Sequence, residues 1–226
     1  MTFQSIEYLI FLPIVFILYW ILGKRSKTIQ NIIIVISSVI FYGWADWRFL
    51  GLFLFTALTT FFAGKLIQVN TSNVKRKFIL VTTIILNVGI LLFFKYYNFF
   101  VDAFTDAFLL FGVSITPATL KLILPIGISF YTFTALSYSI DVYQGKIKPT
   151  NDTVAYLAYV MFFPSILSGP ISRAQEQLPQ YFDKRIFNYD MAVSACKLLV
   201  MGGVMKLCLA DRLGIYVDTV YANIVQ

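Results

Sequence analysis

The chain of 226 residues is 59% hydrophobic, 18% aromatic and only 13% charged, whereas soluble domains are about 45–50% apolar and about 25% charged. This composition excludes a soluble globular domain and predicts an all-α polytopic membrane protein of about six or seven transmembrane helices, with interfacial helices beside them. The formal net charge of +7 lies in short clusters between apolar runs, which is typical of topology-setting loops and argues against a nucleic-acid-binding surface.

The N-terminal segment predicts a first transmembrane helix over about residues 5–22, followed by the basic loop 23–27. The residues before Pro13 form neither a basic n-region nor a small-residue cleavage site, so we expect a retained helix rather than a removed signal peptide. Because Lys and Arg concentrate in cytoplasmic loops, this loop predicts an extracytoplasmic N-terminus.

A second span is predicted over about residues 29–44 and ends in the aromatic segment 41–49. Tyr42, Trp44 and Trp47 suit the headgroup level, where amphipathic aromatic rings anchor helices. We therefore expect this segment to be an interfacial anchor on the side opposite the first basic loop.

The third predicted span, about residues 49–67, returns the chain to a second basic cluster at residues 75–77, on the same side as the first basic loop. A fourth span over about residues 78–94 follows. In residues 95–106, aromatic residues and two aspartates alternate with a roughly helical period. This pattern predicts a separate interfacial helix that lies in the membrane plane.

The fifth predicted span, about residues 120–142, precedes a loop with two lysines at residues 145–149. A sixth span covers about residues 154–168 and contains Pro164. Residues 173–190 carry three basic and three acidic side chains, so their charge does not predict a side of the membrane. A re-entrant or interfacial path for this segment stays open.

A last apolar stretch covers about residues 191–210 and contains both cysteines. Twelve residues separate Cys196 from Cys208, and at about 100° per residue the two side chains point in different directions on a helix. The cysteines therefore indicate neither a disulfide framework nor a zinc site. Because no repeat, low-complexity tract or linker interrupts the chain, we expect a single membrane domain over residues 1–226.

Polar residues recur along one face of the fifth predicted span. At about 100° per residue, an arc of about 80° contains Gly127, Tyr131, Thr134, Tyr138 and Asp141. Hydrocarbon offers no hydrogen-bonding partner, so such groups must satisfy one another, line a wet cavity or meet a ligand. Two interpretations stay open, namely hydroxyls that hold helices together and the wall of a substrate passage. Asp141 also fits a position at the cytoplasmic interface.

Prolines interrupt the chain beside this polar face. Pro125, Pro164 and Pro170 each remove a helical hydrogen bond, which membrane proteins tolerate where the backbone is buried or lines a cavity. The pattern favours a channel or tunnel. Arg173, three residues after Pro170, is shaped to bind an anionic headgroup, a phosphate or a thioester carrier. The alternative is that its side chain only snorkels to the interface.

Four ordered motifs resemble those of the membrane-bound O-acyltransferase family, in its alginate O-acetyltransferase branch. They are FYGWADWRF (41–49), PIGISFYTF (125–133) leading to SYSIDVY (137–143), FFP (162–164) with GPISR (169–173), and Lys206 with Ala210 and Asp211. The resemblance covers nearly the whole chain. The chain departs from the family pattern at Thr60, Thr134 and Gln144, where that pattern has aspartate, glutamine and arginine.

The resemblance implies a ring of helices around a tunnel in a bacterial inner membrane, with this chain as the N-terminal part of the acyltransferase domain. An acyl donor, either a thioester or an acyl carrier protein, would supply an acyl group to an extracytoplasmic polysaccharide such as alginate or to a partner acetyltransferase. No bound cofactor, metal or nucleic acid is implied. Within the tunnel, we expect substrate contacts at Tyr131, Thr134, Tyr138, Asp141 and Arg173.

The general base that the family resemblance implies is a histidine, and this chain contains none. In the longer family members, that histidine lies in a segment beyond the part that this chain resembles. Carboxylates and phenols ordinarily titrate far from neutral pH, so Asp141 and Tyr138 are poor substitutes. No Gly-x-Ser-x-Gly elbow, Walker loop or metal-ligand cluster offers another mechanism. We therefore expect no catalytic residue in this chain and no activity from it alone.

A second hypothesis belongs to a different class of protein. It is a non-enzymatic membrane pore, flippase subunit or scaffold in the modification of cell-envelope polysaccharide or teichoic acid. Such a protein would use the polar face of the fifth span for passage or assembly.

Overall fold

The computed structural model describes residues 5–110, 124–167, 169–171 and 173–224. Throughout these ranges the chain forms helices and connecting turns without a β-strand, which confirms the predicted all-α fold class. Contacts divide the chain into two units, Met1–Arg185 and Ile186–Gln226, and each is described by itself. A single membrane domain over residues 1–226 stays a prediction.

The first unit is built from long helices followed by short ones. The helices are α1 (Ile6–Leu22), α2 (Lys27–Asp46), α3 (Leu50–Val69), α4 (Asn73–Leu110), α5 (Ile128–Tyr143), α6 (Thr153–Val160), α7 (Phe163–Ile166) and α8 (Ala174–Gln177). Two 3-10 turns, Trp47–Phe49 and Leu178–Tyr181, join them.

Local sequence decides where several of these helices begin. The side chains of Ser5, Ser26 and Asp152 accept hydrogen bonds from first-turn amides of α1, α2 and α6. An N-cap of this kind contributes about 1 kcal/mol to helix stability. The starts of these helices therefore follow from single polar residues placed before apolar runs.

The first three predicted spans are confirmed as helices, with bounds within a few residues of the predicted ones. By length and composition, three stretches of the described chain suit a membrane crossing: Lys27–Val69, Asn73–Thr105 and Tyr189–Asn223. The first of these contains both α2 and α3, which meet at the 3-10 turn after Asp46. Helix α1 is a shorter apolar helix. The predicted number of spans stays a prediction.

The predicted interfacial helix over residues 95–106 is wrong as a separate element. Helix α4 continues without a break from Asn73 to Leu110, over 38 residues. At about 1.5 Å per residue it is about 57 Å long, which exceeds a bilayer core of about 30 Å. Residues 95–106 contain no proline or glycine, so nothing in them interrupts the backbone hydrogen bonds, and their helical period extends the preceding helix.

The fifth helix begins at Ile128, later than predicted. Residues 120–123 of that prediction lie outside the described ranges. Gly127 precedes the helix with a φ of 73°, and a Cβ at this position would lie 2.4 Å from the carbonyl oxygen of Ile166. Both the left-handed backbone and the lack of space require glycine here, so α5 starts only after this turn.

The predicted sixth span over residues 154–168 is wrong as a continuous helix. Helix α6 has only eight residues and is about 12 Å long, too short for a bilayer core of about 30 Å. A turn at Met161 ends it, and Pro164 lies in the first turn of the separate helix α7. Proline suits a helix start because no amide donor is needed there. Residue 168 lies outside the described ranges.

The core of the first unit depends on close contacts of α5. Helices α3, α4 and α5 pack against one another, and α2 packs against α1 and α6. Tyr138 of α5 is fully buried, and a Cβ at Gly64 of α3 would lie 2.6 Å from its Cε1. The two helices approach this closely because position 64 has no side chain, as is common between transmembrane helices.

The second unit is a continuous helical stretch of α9 (Tyr189–Val204), a π-helical segment (Met205–Ala210) and α10 (Asp211–Ile224). The amide of Asp211 donates to the carbonyl of Lys206, five residues earlier. The same spacing brings Lys206 Nζ within 2.7 Å of Asp211 Oδ1. Cys196 and Cys208 are both exposed.

We expect Gly64→Ala to destabilise the protein by about 1–3 kcal/mol, because the added methyl group would collide with the buried ring of Tyr138. The measurement is the fraction of detergent-purified chain that stays monodisperse after heating. Gly51→Ala is the matched control, since it lies in the same helix and its added Cβ would meet no described atom within 4 Å. Equal losses in the two variants would contradict the close contact.

Candidate functional site

The polar arc predicted on α5 is buried inside the first unit. The exposed fraction is 1% for Tyr131, 9% for Thr134, 0% for Tyr138 and 8% for Asp141. These side chains therefore meet neighbouring helices, and their individual contacts decide what each of them can do.

Tyr138 joins α5 to the chain that leads into α6. Its hydroxyl accepts a hydrogen bond from Thr150 N at 3.1 Å, and its ring centroid lies 4.6 Å from that of Tyr156. The Tyr156 hydroxyl lies 2.7 Å from Thr60 Oγ1 of α3. Because Thr60 Oγ1 already donates to the Thr56 carbonyl at 2.7 Å, Tyr156 is the donor in this pair.

Further hydroxyl contacts join the same three helices. The Tyr159 hydroxyl donates to the Thr134 carbonyl at 3.2 Å and lies 3.1 Å from Ser137 Oγ. Ser139 Oγ donates to the Thr60 carbonyl at 3.1 Å. We call this group the hydroxyl seam: Thr60, Ser137, Ser139, Tyr156 and Tyr159. It supports the interpretation that hydroxyls on this part of α5 hold helices together.

Tyr156 and Tyr159 are site residues that the sequence analysis does not predict. A signal for them exists, because three residues separate them and place two phenols near one another on the surface of a helix. This spacing is overlooked when residues 154–168 are interpreted as a single span in the lipid. The turn at Met161 makes α6 a short buried helix instead, which turns these phenols toward α3 and α5.

Tyr42, Phe53 and Tyr131 form an aromatic cluster where α2, α3 and α5 meet. The Phe53 ring centroid lies 5.1 Å from that of Tyr42 and 4.5 Å from that of Tyr131.

Tyr42 is only 2% exposed, so its predicted role as an interfacial anchor is wrong. Trp44 and Trp47 are 62% and 74% exposed, as an anchor requires. Position 44 is turned about 200° from position 42 on the helix, which explains the difference.

The hydroxyls of Tyr42 and Tyr131 are buried without a hydrogen bond of proper geometry to any described residue, although the two phenols interact with each other. An unsatisfied buried hydroxyl costs about 1–3 kcal/mol. The pair thus differs from the satisfied hydroxyl seam further along α5. Within the polar arc, the buried hydroxyl of Tyr131 therefore has hydrogen-bonding capacity left for another group.

Asp141 lies near the C-terminal end of α5. Its Oδ1 is 4.0 Å from Lys146 Nζ, and at the same end Arg76 Nη2 donates to the Tyr143 carbonyl at 3.2 Å. The second contact brings the basic cluster at residues 75–77 next to the loop that follows α5. These surroundings favour the interfacial position predicted as one alternative for Asp141.

Arg173 is exposed and immediately precedes α8. Its carbonyl accepts the amides of Glu176 and Gln177, both at 3.1 Å. Within the described ranges its guanidinium makes no ion pair, and the structure does not bring it into contact with the polar side chains of α5. The predicted substrate contact at Arg173 stays a prediction.

A cluster around Arg185, which no sequence pattern above indicates, fastens the end of the first unit to α2. Gln30 Oε1 accepts hydrogen bonds from Arg185 N at 2.9 Å and Nε at 3.3 Å, and Gln30 Nε2 donates to the Arg185 carbonyl at 2.8 Å. Asn31 Oδ1 accepts from Arg185 Nη2. The guanidinium lies 5.6 Å and 5.3 Å from the ring centroids of Tyr19 and Tyr181. We call these five residues the arginine clamp.

The arginine clamp is held by buried amides. Gln30 and Asn31 are 1% and 0% exposed, and Asn31 Nδ2 also donates to the Tyr181 carbonyl at 2.9 Å. Burial raises the pKa of Tyr181, and the positive charge of Arg185 opposes that shift. Two polar residues inside an apolar helix thus find their partners in a loop about 150 positions later, which explains why local sequence does not reveal them.

An apolar cleft of about 330 Å³ opens beside the arginine clamp. Helices α1 and α2, residues 162–164 and the 3-10 turn Leu178–Tyr181 line it. Its walls are aliphatic and aromatic apart from Gln180 and Arg185. The volume lies at the lower end of the range of about 300–1,000 Å³ that is usual for small-molecule sites.

The candidate site contains no histidine, the side chain whose ordinary pKa lies nearest neutral pH. Its polar groups are hydroxyls, amides, guanidinium ions and the carboxylate of Asp141. Among the described side chains, no group of three or more His, Cys, Asp or Glu could hold a metal ion. Hydroxyls, amides and guanidinium ions are groups that form hydrogen bonds with hydroxyl-bearing or anionic molecules.

Comparison with known proteins shows similarity along almost the whole chain to bacterial O-acetylating proteins. The chain is 33% identical to the probable alginate O-acetylase AlgI of Pseudomonas aeruginosa, over 98% of this chain and 42% of that protein. It is 35% identical to the probable alginate O-acetylase AlgI of Pseudomonas syringae pv. tomato, over 98% of this chain and 42% of that protein. It is 28% identical to a peptidoglycan O-acetyltransferase of Helicobacter pylori, over 92% of this chain and 44% of that protein.

These similarities confirm the resemblance predicted from the ordered motifs. The chain spans less than half the length of the relatives it matches. No protein-family model matches the chain, and no solved structure matches it.

Tyr138→Phe is expected to destabilise the protein by about 1–3 kcal/mol, because it leaves the buried amide of Thr150 without its acceptor. Tyr131→Phe is the matched control on the same helix. It removes a hydroxyl that has no partner of proper geometry among the described residues, so stability should stay unchanged or rise. Thermal-unfolding midpoints of the detergent-purified chain measure both, and a larger loss for Tyr131→Phe would contradict the assignment of contacts.

Proposed function

We propose that this chain, which is related to the alginate O-acetylases along 98% of its length, forms part of a membrane-bound O-acyltransferase. The enzyme transfers an acyl group from a thioester or carrier-linked donor to a hydroxyl of an extracytoplasmic polysaccharide such as alginate. The observation that carries the proposal is this similarity, since the relatives' names refer to O-acetylation of alginate and of peptidoglycan. Both polymers present sugar hydroxyls as acceptors.

In this proposal, the chain supplies binding surfaces and the rest of the enzyme supplies the general base. Removal of a proton from a sugar hydroxyl near neutral pH requires a base with a pKa near the working pH, and histidine is the usual choice. The 226 residues contain no histidine. We therefore propose that the base belongs to a part of the enzyme outside these residues, and that this chain alone is inactive.

The contacts give the five predicted tunnel residues different proposed roles. Tyr131, whose hydroxyl has no partner of proper geometry among the described residues, is proposed to contact substrate. The hydroxyl of Tyr138 and the backbone carbonyl of Thr134 accept hydrogen bonds within the bundle, and both residues are proposed to position α5. Asp141, whose Oδ1 lies 4.0 Å from Lys146 Nζ, is proposed to mark the end of the passage, and the exposed Arg173 is proposed to bind the anionic part of the acyl donor at the tunnel mouth.

We further propose a multi-pass position in the bacterial inner membrane with the N-terminus outside. The apolar helices support a membrane location. The contact between Arg76 and the Tyr143 carbonyl supports a common side for two of the basic loops, and the excess of positive charge in such loops favours the cytoplasm. An acyl carrier protein or another acyl donor would then approach from the basic side, and the acceptor polysaccharide or a partner acetyltransferase from the other.

The activity is tested with a fusion of residues 1–226 to the remaining segment of the Pseudomonas aeruginosa relative. We expect membranes with this fusion to form acetyl esters on alginate, measured by hydroxylamine release, and membranes with the 226-residue chain alone to form none. In the fusion, Tyr131→Phe should lower the rate of acetyl transfer about five- to tenfold, which corresponds to the loss of one hydrogen bond to the substrate. The stability of the fusion should not fall.

Three outcomes would count against parts of this proposal. Acetyl transfer by the 226-residue chain alone would refute the proposal that the general base lies outside these residues. An inactive fusion that is well folded would favour the pore, flippase or scaffold hypothesis. Full activity of the Tyr131→Phe fusion would exclude Tyr131 from substrate contact.

The orientation is tested by labelling single cysteines in a background in which Cys196 and Cys208 are replaced by serine. Thr71→Cys, in the loop before α4, should react with a membrane-impermeant maleimide only after the cells are opened. Arg48→Cys, in the aromatic turn between α2 and α3, should react in intact spheroplasts. The reverse pattern would overturn the proposed orientation.

A further inference from the structure

Arg185 carries a charge that the described structure does not neutralise. Its side chain is half-buried, and ion pairs among the described residues involve only other cations. The partners of its guanidinium are the neutral amide oxygens of Gln30 and Asn31 and the rings of Tyr19 and Tyr181. A half-buried cation without a carboxylate partner favours the binding of an anion.

The guanidinium also has donors available for such an anion. Of its five N–H groups, Nε donates to Gln30 Oε1 and one Nη2 group donates to Asn31 Oδ1. The remaining N–H groups make no hydrogen bond within the described ranges. Since Arg185 lines the apolar cleft, a ligand in the cleft can reach it. A guanidinium binds phosphate oxygens in a bidentate way.

The cleft separates charged and apolar groups in the same way as a lipid molecule does. The charged side chain of Arg185 lies at one end, and apolar side chains line most of the rest. Along α1, its lining runs from Tyr19 and Trp20, near Arg185, to Leu12. The distance from position 19 to position 12 is about 10 Å along the helix. This stretch contains only aliphatic and aromatic side chains, which suits an acyl chain whose head lies at Arg185.

The surroundings of Arg185 are predominantly basic. The loop before α2 contributes Lys24 and Arg25, and Lys27, the first residue of α2, donates through Nζ to the Phe182 carbonyl at 2.8 Å. Lys184 and the single carboxylate Asp183 precede Arg185 and are exposed. The net positive charge of this end attracts anionic headgroups, at about 1 kcal/mol per basic residue near the membrane surface.

The face of α1 opposite the cleft is also apolar and exposed. Four isoleucines recur on it at helical spacing: Ile10 is 58% exposed, Ile14 51%, Ile17 53% and Ile21 61%. Large apolar side chains this exposed fit contact with lipid. The cleft is itself open to the outside of the first unit, because Phe16, one of its lining residues on α1, is 47% exposed.

We propose that the cleft between α1, α2 and the arginine clamp binds an anionic glycerophospholipid, with an acyl chain along α1 and the phosphate on Arg185. The lipid supplies the counter-ion that the protein does not. It also fills apolar space between α1 and the Phe162–Pro164 turn. The site is independent of the acyl-transfer proposal, because it needs neither an acyl donor nor an acceptor.

The test uses Trp20, which lines the cleft, as a fluorescent reporter in the 226-residue chain. Trp44→Phe and Trp47→Phe leave Trp20 as the only tryptophan. The chain is placed in phosphatidylcholine nanodiscs that contain a small fraction of lipid with brominated acyl chains, either phosphatidylglycerol or phosphatidylcholine. Bromine quenches a tryptophan in contact with it, so the ratio of the two quenching efficiencies measures preference for the anionic headgroup.

We expect about a fivefold preference for phosphatidylglycerol, the effect of one basic residue at the headgroup. Arg185→Gln should reduce the preference to about one, and Arg185→Lys should keep part of it because the charge remains. Arg48→Gln is the matched control, since it removes an exposed arginine far along α2 from the clamp, and it should leave the preference unchanged.

Arg185→Gln could also reduce the preference by loosening the packing of the arginine clamp, so a second variant leaves the clamp unchanged. Val15→Phe narrows the apolar part of the cleft without altering any residue of the clamp and should also reduce the preference. Equal quenching by the two lipids in the unmodified cleft would overturn the proposal. The proposal would also be overturned if Arg185→Gln lost the preference for phosphatidylglycerol while Val15→Phe kept it in full. The lipid headgroup would then bind at Arg185 without an acyl chain in the cleft. Displacement of phosphatidylglycerol by millimolar inorganic phosphate would likewise show an anion site rather than a lipid site.

Discussion

The absence of hydrogen-bonding partners in hydrocarbon requires the polar face of α5 to find its partners inside the protein. Tyr138 meets this requirement by accepting the Thr150 amide, and its ring can lie against α3 only because Gly64 has no side chain. The contact between Tyr138 and Gly64 sets the distance between α3 and α5. It also fixes where the chain enters α6, and the hydroxyl seam forms around it.

The same requirement is not met at the other end of α5, where the hydroxyls of Tyr42 and Tyr131 have no partner of proper geometry among the described residues. A satisfied seam makes the bundle rigid, whereas two unsatisfied phenols leave a polar site beside it. The polar face thus has one part whose hydroxyls are hydrogen-bonded to neighbouring helices and another where the hydroxyl of Tyr131 is not. This division agrees with a chain that positions substrate while the base lies elsewhere in the enzyme.

Several elements could be predicted because their signals are local. The first three helices follow from apolar runs between basic loops and an aromatic segment, and polar caps begin the first two. The predicted break within α4 is wrong because aromatic residues with a helical period continue a helix as readily as they form an interfacial one. The sixth predicted span is wrong because hydropathy does not distinguish a lipid-facing helix from a short buried one such as α6. The five predicted tunnel residues include Tyr131, which retains hydrogen-bonding capacity, but not Tyr42, its partner in the cluster.

The sequence by itself determined the membrane class, the helical fold and the family resemblance, because composition, periodicity and ordered motifs are properties of the chain alone. Only the tertiary structure decided which polar residues are satisfied. Gln30 and Asn31 look misplaced in an apolar helix until Arg185 reaches them from a distant loop, and Tyr42 looks like an interfacial anchor until α3 and α5 cover it. Hydrogen-bond satisfaction and burial depend on contacts between residues far apart in the chain, and local sequence does not encode those contacts.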